Sequence, residues 1–251
     1  MNITLENNYI KNGWSFFENT IPESQLPDFT ELLKGEHTPI LEGSQIRSIY
    51  GFHRQENFNR WLKNQFFIRK VIEEILGDEV YIYQSKVNLK NTLDESVWPY
   101  HRDFPFWKYF DGFEKNEMLN VVIFLDDVSI LDGPLKLLSS SQDDFLSREV
   151  NDASTSFSID KSSSAELAFS FTDAEIKNYK EKHQKYEAIG QKGSVLFFNP
   201  DIIHGSGVSR LDGSRKLLIL TFNKCSNKPS KISERPDFLC SKIVEPIEWN
   251  S

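Results

Sequence analysis

The spacing of apolar residues changes character near residue 80. Before it, Pro22 to Lys34 and Asn57 to Leu76 carry apolar residues at helix-like intervals. The second run contains Phe58, Trp61, Leu62, Phe66, Ile68, Ile72, Ile75 and Leu76, with Gly77 placed as its C-cap. Both helices are expected to lie on the outside of a sheet. From Val80 onward, short apolar runs are separated by Asp-Gly and Gly-Pro turns, the signature of many short antiparallel strands. The expected fold is mainly β with α+β character: a double-sheet jelly roll (double-stranded β-helix) with N-terminal and outer supporting helices.

Within that frame, three runs are informative. In Gln84-Ser-Lys-Val-Asn-Leu-Lys90 the even positions are polar and the odd ones, apart from Ser85, apolar, so the strand has two unlike faces. Its polar face meets either water or a polar cavity, and alternation alone does not choose. Gly193 to Asn199 predicts a strand followed by a turn that presents His204. Arg215 to Phe222 predicts the next strand, after the turn Leu-Asp-Gly-Ser. If those two strands pair antiparallel, Arg215 returns to the neighbourhood of His204.

Ser139 to Gln191 interrupts the strand pattern. It holds the Ser-rich stretch Ser154 to Ser164, then Thr172-Asp-Ala-Glu175, a capping box that opens a polar helix toward Tyr186. Long loops in a compact domain are often functional, so residues 143–191 are a candidate lid insertion within a single domain spanning 1–251; the alternative is a solvated excursion.

Composition narrows the function. A chain of 251 residues with 39% hydrophobic content can bury one sizeable core. A net charge of −8 without a basic stripe argues against nucleic acid and against anionic membrane surfaces, which leaves a small molecule as the expected partner. No segment approaches the length of a membrane span, and the start lacks a signal-peptide pattern, so the expected location is cytoplasmic. Cys225 and Cys240 are too few for a disulfide framework. Oligomeric state is not readable from these residues.

The chemistry sits in His101-Arg-Asp103, in His204 about a hundred residues later, and in Arg215 eleven residues beyond that. Two histidines and one carboxylate on one side of a metal leave three positions open, as non-haem Fe(II) oxygenases require for an organic co-substrate and O2. On an extended strand His101 and Asp103 would point the same way, with Arg102 turned aside. A guanidinium at Arg215 offers a fixed fork of donors to a dicarboxylate such as 2-oxoglutarate. Each element alone is weak; the constellation carries the reading. His37, His53 and His183 are expected to be structural or surface residues, and Asp126-Asp127 a turn-forming pair.

The runs Gln84-Ser-Lys-Val-Asn-Leu-Lys90, Trp98-Pro-Tyr-His101-Arg-Asp103-Phe-Pro-Phe-Trp107, Asp111-Gly112, Asn120 to Leu125, Gly133-Pro-Leu135, Ser139 to Gln142, His204-Gly-Ser-Gly207 and Arg215 resemble the phytanoyl-CoA dioxygenase family, most of all its ectoine hydroxylase branch. The resemblance runs roughly from Arg47 to Phe222. It implies that His101, Asp103 and His204 bind Fe(II), that Arg215 and Lys90 hold 2-oxoglutarate, and that Asn120 lies near the co-substrate. It further implies that Gln84 and Trp107 contact substrate. Ectoine hydroxylases carry a Glu-Thr pair where this chain has Pro105-Phe106, which puts ectoine itself in doubt.

The expected activity is Fe(II)- and 2-oxoglutarate-dependent hydroxylation of a small molecule: an amino acid, an amino-acid derivative or a natural-product intermediate. Desaturation or cyclisation would use the same machinery. Halogenation is disfavoured because Asp103 occupies the position that halogenases leave small. Two alternatives are a non-catalytic jelly-roll binding protein and a hydroxylase of protein side chains.

Overall fold

The computed structural model describes residues 3–77, 79–90, 97–144, 167, 169–210 and 215–250. Among them, two antiparallel sheets face each other. The larger contains β1 (Trp14–Phe17), β2 (Thr38–Glu42), β3 (Gln45–Tyr50), β4 (Val80–Lys90), β6 (Met118–Phe124), β9 (Val195–Phe198) and β11 (Arg215–Lys224), in the order β1-β9-β6-β11-β4-β3-β2. The smaller contains β5 (Trp98–His101), β7 (Leu135–Leu138), β8 (Lys185–Ala188) and β10 (His204–Ser206), in the order β5-β10-β7-β8. This is the double-sheet jelly roll the strand pattern predicts.

Strand periodicity divides the core in two. Val121 and Ile123 of β6 turn outward with Leu218 and Leu220 of β11, and pack beneath helices α3 (Glu56–Lys63) and α4 (Phe66–Leu76) against Phe58, Leu62, Ile68 and Ile72. Val122 and Phe124 turn inward with Leu217 and Ile219, against Leu135 and Leu137 of the small sheet. Because β6 is covered on both faces it reads as a continuous apolar run, not an alternating one.

The helical forecasts are partly corrected. Pro22 to Lys34 is not one helix but a 3-10 turn (Glu23–Gln25) and the single-turn α2 (Phe29–Leu32). Pro27 lies between them and holds Leu26 extended, at ψ 151°. Asn57 to Leu76 divides into α3 and α4, because the Asn64 side chain donates back to the Arg60 carbonyl and Gln65 leaves helical geometry at ψ 76°. Gly77 does cap α4, with φ 62°. The helical preface also hides three strands, β1 to β3, and α1 (Ile3–Asn12) precedes them.

Two further corrections matter for the site. Val195–Phe198 and Arg215–Lys224 are strands, but they do not pair; β6 lies between them, and β11 pairs instead with β4 and β6. The helix opened by the Thr172–Glu175 capping box, α6 (Asp173–Lys182), stops at His183, and Tyr186 lies in β8. Residues 185–188 of the candidate lid are thus an integral strand paired with β7. Residues 145–166 of that lid, including Ser154 to Ser164, lie outside the described residues, as does the turn at 211–214.

Candidate metal centre

His101 ends β5 and His204 opens β10, and the two are direct partners in the antiparallel ladder between those strands. Gly205 allows the close approach: a Cβ there would stand 2.8 Å from the Trp98 carbonyl oxygen. Asp103 does not lie on the strand, as two-residue spacing suggested, but caps the next helix, α5 (Phe104–Asp111), in helical geometry. Its backbone N–H donates to the Pro200 carbonyl, in the turn that leads to His204. That bond ties the two halves of the triad together. Arg102 does turn aside, as expected, and donates to the carbonyls of Ser141 and Asp144.

The three ligand atoms lie within 4.8 Å of one another. His101 Nε2 is 3.5 Å from Asp103 Oδ1, and His204 Nε2 is 3.6 Å from Asp103 Oδ2. Each imidazole spends Nδ1 on a backbone carbonyl: His101 on Pro99 at 2.7 Å, His204 on Ile202 at 3.0 Å. Those bonds fix the tautomer with Nε2 turned toward the carboxylate, the arrangement in which imidazoles present a lone pair to a cation. Asn120 Nδ2 donates to Asp103 Oδ2 at 2.7 Å, and Thr221 Oγ1 donates to Asn120 Oδ1 at 2.7 Å. The amide of Asn120 is therefore engaged in orienting the carboxylate.

Burial and neighbouring charge set the protonation states. Burial, reinforced by His101, pushes the His204 imidazole down to about 4 and keeps it neutral at physiological pH. Burial alone would raise the Asp103 carboxyl, but His204, His101 and Lys86 outweigh it and hold it well below the usual carboxylate range. A neutral imidazole and an ionised carboxylate are the forms that bind a divalent metal, so the donor set fits one.

The polar face of β4 is directed inward. Gln84, Lys86, Asn88 and Lys90 pair across β11 with Thr221, Ile219, Leu217 and Arg215. A β-bulge at Tyr83 changes the phase of the strand, so that Tyr81 and Tyr83 join the same interior as Gln84. Lys90 and Arg215 are direct partners at the end of the ladder, 0% and 3% exposed. The stem of Lys90 passes Gly133, where a Cβ would stand 3.0 Å from it and 2.6 Å from the Gly207 carbonyl. An ammonium and a guanidinium side by side are donors suited to the oxygens of one carboxylate.

Beside the triad lies a recess of about 30 Å³, lined by Gln84, Lys86, Trp98, Phe106, Trp107 and Arg235, among others. Gln84 Nε2 donates to the Leu239 carbonyl at 2.6 Å. Trp107 is 3% exposed and meets Tyr83 edge to face at 5.3 Å. A larger cleft of about 790 Å³ lies between α3 and residues 237–248 and contains none of the triad, so size does not locate the chemistry. Sequence reasoning missed Lys86, Trp98 and Arg235 as recess residues. Lys86 was legible from the two-residue period that it shares with Gln84 and Lys90, whereas Arg235 lies in an aperiodic segment that gives no such signal.

A facial triad of two histidines and one carboxylate inside a jelly roll defines a non-haem iron oxygenase. The phytanoyl-CoA dioxygenase (PhyH) family profile matches residues 33–217, and the chain belongs to that family. It is 29% identical over 248 residues to L-proline trans-4-hydroxylase of Streptomyces griseoviridis, covering 95% of this chain and 92% of the relative. It is 28% identical to the ectoine dioxygenase of Sphingopyxis alaskensis, covering 80% and 66%. The crystal structure of EctD from S. alaskensis with 2-oxoglutarate and 5-hydroxyectoine matches its fold with a TM-score of 0.80 at 20% identity, covering 98% of this chain and 86% of that one. The ectoine hydroxylase-like branch fits, and the protein is an iron- and 2-oxoglutarate-dependent dioxygenase. Among the described residues no helix is long and apolar enough to cross a membrane.

Proposed function

We propose that the protein hydroxylates a small amino acid or amino-acid derivative, with His101, Asp103 and His204 holding Fe(II) and with Arg215 and Lys90 holding the distal carboxylate of 2-oxoglutarate. The observation that carries the substrate class is the recess: Lys86, Arg102 and Arg235 line it together with the side chain of Gln84 and the ring of Trp107. Lys86 offers a substrate carboxylate a charged donor there, Arg235 being paired with Asp111, and the small volume favours a small body. Likeness to an L-proline hydroxylase over 95% of the chain supports the same class. Phe106, in the pair that replaces Glu-Thr of ectoine hydroxylases, lines the recess itself, which favours a substrate other than ectoine.

Bound iron, 2-oxoglutarate and O2 together supply the oxidising power, with succinate and CO2 released. The chain's task is placement. Asn120 holds Asp103 through one oxygen and is itself held by Thr221. The carbonyls of Pro99 and Ile202 keep both imidazoles turned to the cation. Trp107 and Phe106 exclude water from the reacting carbon. The whole chain acts as one domain in this reading, and a reducing cytoplasmic setting suits its two free cysteines, Cys225 and Cys240.

The test is succinate formation from 2-oxoglutarate by the anaerobically iron-loaded protein, exposed to O2 with free amino acids, cyclic derivatives and ectoine. Stimulation by a free amino acid, with a hydroxylated product by mass spectrometry, is expected. Stimulation only by peptides or proteins, or a product short of two hydrogens and without added oxygen, would overturn the reading.

A further inference from the structure

Behind the recess lies a second pocket of about 280 Å³, open to solvent at Ile232 and lined more deeply by Tyr81, Tyr83, Asp111, Phe113 and Cys240, among others. The two spaces are separated by one hydrogen-bonded cluster. Asp111, the last residue of α5, is 1% exposed and accepts from Tyr83 Oη, from Ser233 Oγ at 2.5 Å and from Arg235 Nη1 at 2.6 Å. Tyr83, Asp111 and Ser233 face the rear cavity, while Arg235 faces the recess and lies over the Phe106 ring at 5.0 Å. Arg235 also reaches the Leu239 carbonyl, the same acceptor that takes the Gln84 amide.

We propose that the Asp111–Arg235 pair is the wall that sets substrate size: it closes the recess against the rear cavity and so confines turnover to small substrates. This rests on the amino-acid reading above. Arg235 comes from the irregular segment after β11, which has no ladder to hold it in place at this point. Its position is fixed by a carboxylate at the end of the helix that begins with Asp103. Asp111 is thus a positioning residue, acting on substrate through Arg235. A buried pair of this kind loses more when one partner is removed than when both are neutralised, so the wall is opened by changing both.

The experiment compares the iron-loaded wild type with the Asp111→Asn/Arg235→Ala double variant. Each is assayed for stimulated succinate formation by free amino acids and by their N-acetyl and glycyl derivatives. The wild type should respond to free amino acids alone. The variant should show a KM for the free amino acid raised by about tenfold or more and should gain turnover on the bulkier derivatives. A purely structural role would lower all activities without shifting the size preference, and an unchanged preference in a folded, iron-loaded variant would overturn the proposal. Should no free amino acid stimulate the wild type, the substrate reading falls, and a crystal structure of the variant still decides the wall: one continuous cavity supports it, two separate cavities refute it. If the double variant does not fold, Tyr83→Phe, which removes a single donor to Asp111, should raise KM for the small substrate a few-fold and admit the derivatives weakly; no change in either would refute the wall.

Discussion

The interior holds two charged centres, and they are built in opposite ways. The triad is carried by short elements: one end of the four-residue β5, the first residue of the three-residue β10, and a helix cap. Its precision comes from bonds to neighbours, namely the Pro99 and Ile202 carbonyls and the Asn120 amide. The Lys90–Arg215 pair is carried by the two long strands β4 and β11, whose register places the two residues side by side. The lesson is that a site built on a ladder tolerates loss of a neighbour, whereas a site built on strand ends depends on its supporting hydrogen bonds.

Removal of a ligand should have the largest effect. His101→Ala should abolish stoichiometric iron binding and lower turnover by about a thousandfold or more, beyond what outer partners are worth. Anaerobic iron titration checks it. At the other centre, Arg215→Met should raise KM for 2-oxoglutarate by about 30-fold or more, as loss of a buried charge partner does, while iron still binds; Lys90→Met should do less. If Arg215→Met also lost iron, the two centres would not be separable.

The support around the triad is tested next. Asn120→Ala frees one oxygen of Asp103 and should weaken iron affinity by about 10- to 100-fold. Equal iron affinity in this variant and in the wild type would break the contrast drawn between strand ends and ladders.

The remaining effect is on the stability of the metal-free fold and its pH dependence, not on turnover. His204 and His53, both pushed down to about 4 chiefly by burial, are neutral in the fold. In the unfolded chain each takes a proton near pH 6.5. Their stabilising contribution is therefore complete above about pH 6.5, is lost as pH falls through that window, and levels off below about 4. The metal-free protein should lose up to about 3 kcal/mol per histidine over that range, read from urea unfolding midpoints. His53 accepts no part in the triad and contacts Ser85 Oγ at 2.7 Å, so His53→Gln should flatten its share of the slope with or without iron. With iron bound, the His204 share should instead continue below pH 4, because the metal keeps that imidazole unprotonated in the fold while the unfolded chain still takes its proton.

Sequence periodicity by itself pointed to the architecture, and residue types with the family resemblance pointed to the chemistry. Short strands with turn signals pointed to the jelly roll, the two-residue period of β4 grouped Gln84 with Lys90, and His101, Asp103, His204 and Arg215 were recognisable as residue types suited to iron and a dicarboxylate. What periodicity could not supply was partnership between distant segments. It left open whether β9 pairs with β11, and β6 lies between them. It placed Asp103 on a strand, whereas a helix begins there. The inward direction of the β4 polar face, the binding of Asp103 by Asn120 and Thr221, and the arrival of Arg235 from an aperiodic tail were decided only by tertiary packing. Each of these depends on which buried polar group finds its partner once water is gone, and that is a property of the assembled interior rather than of any local run of residues.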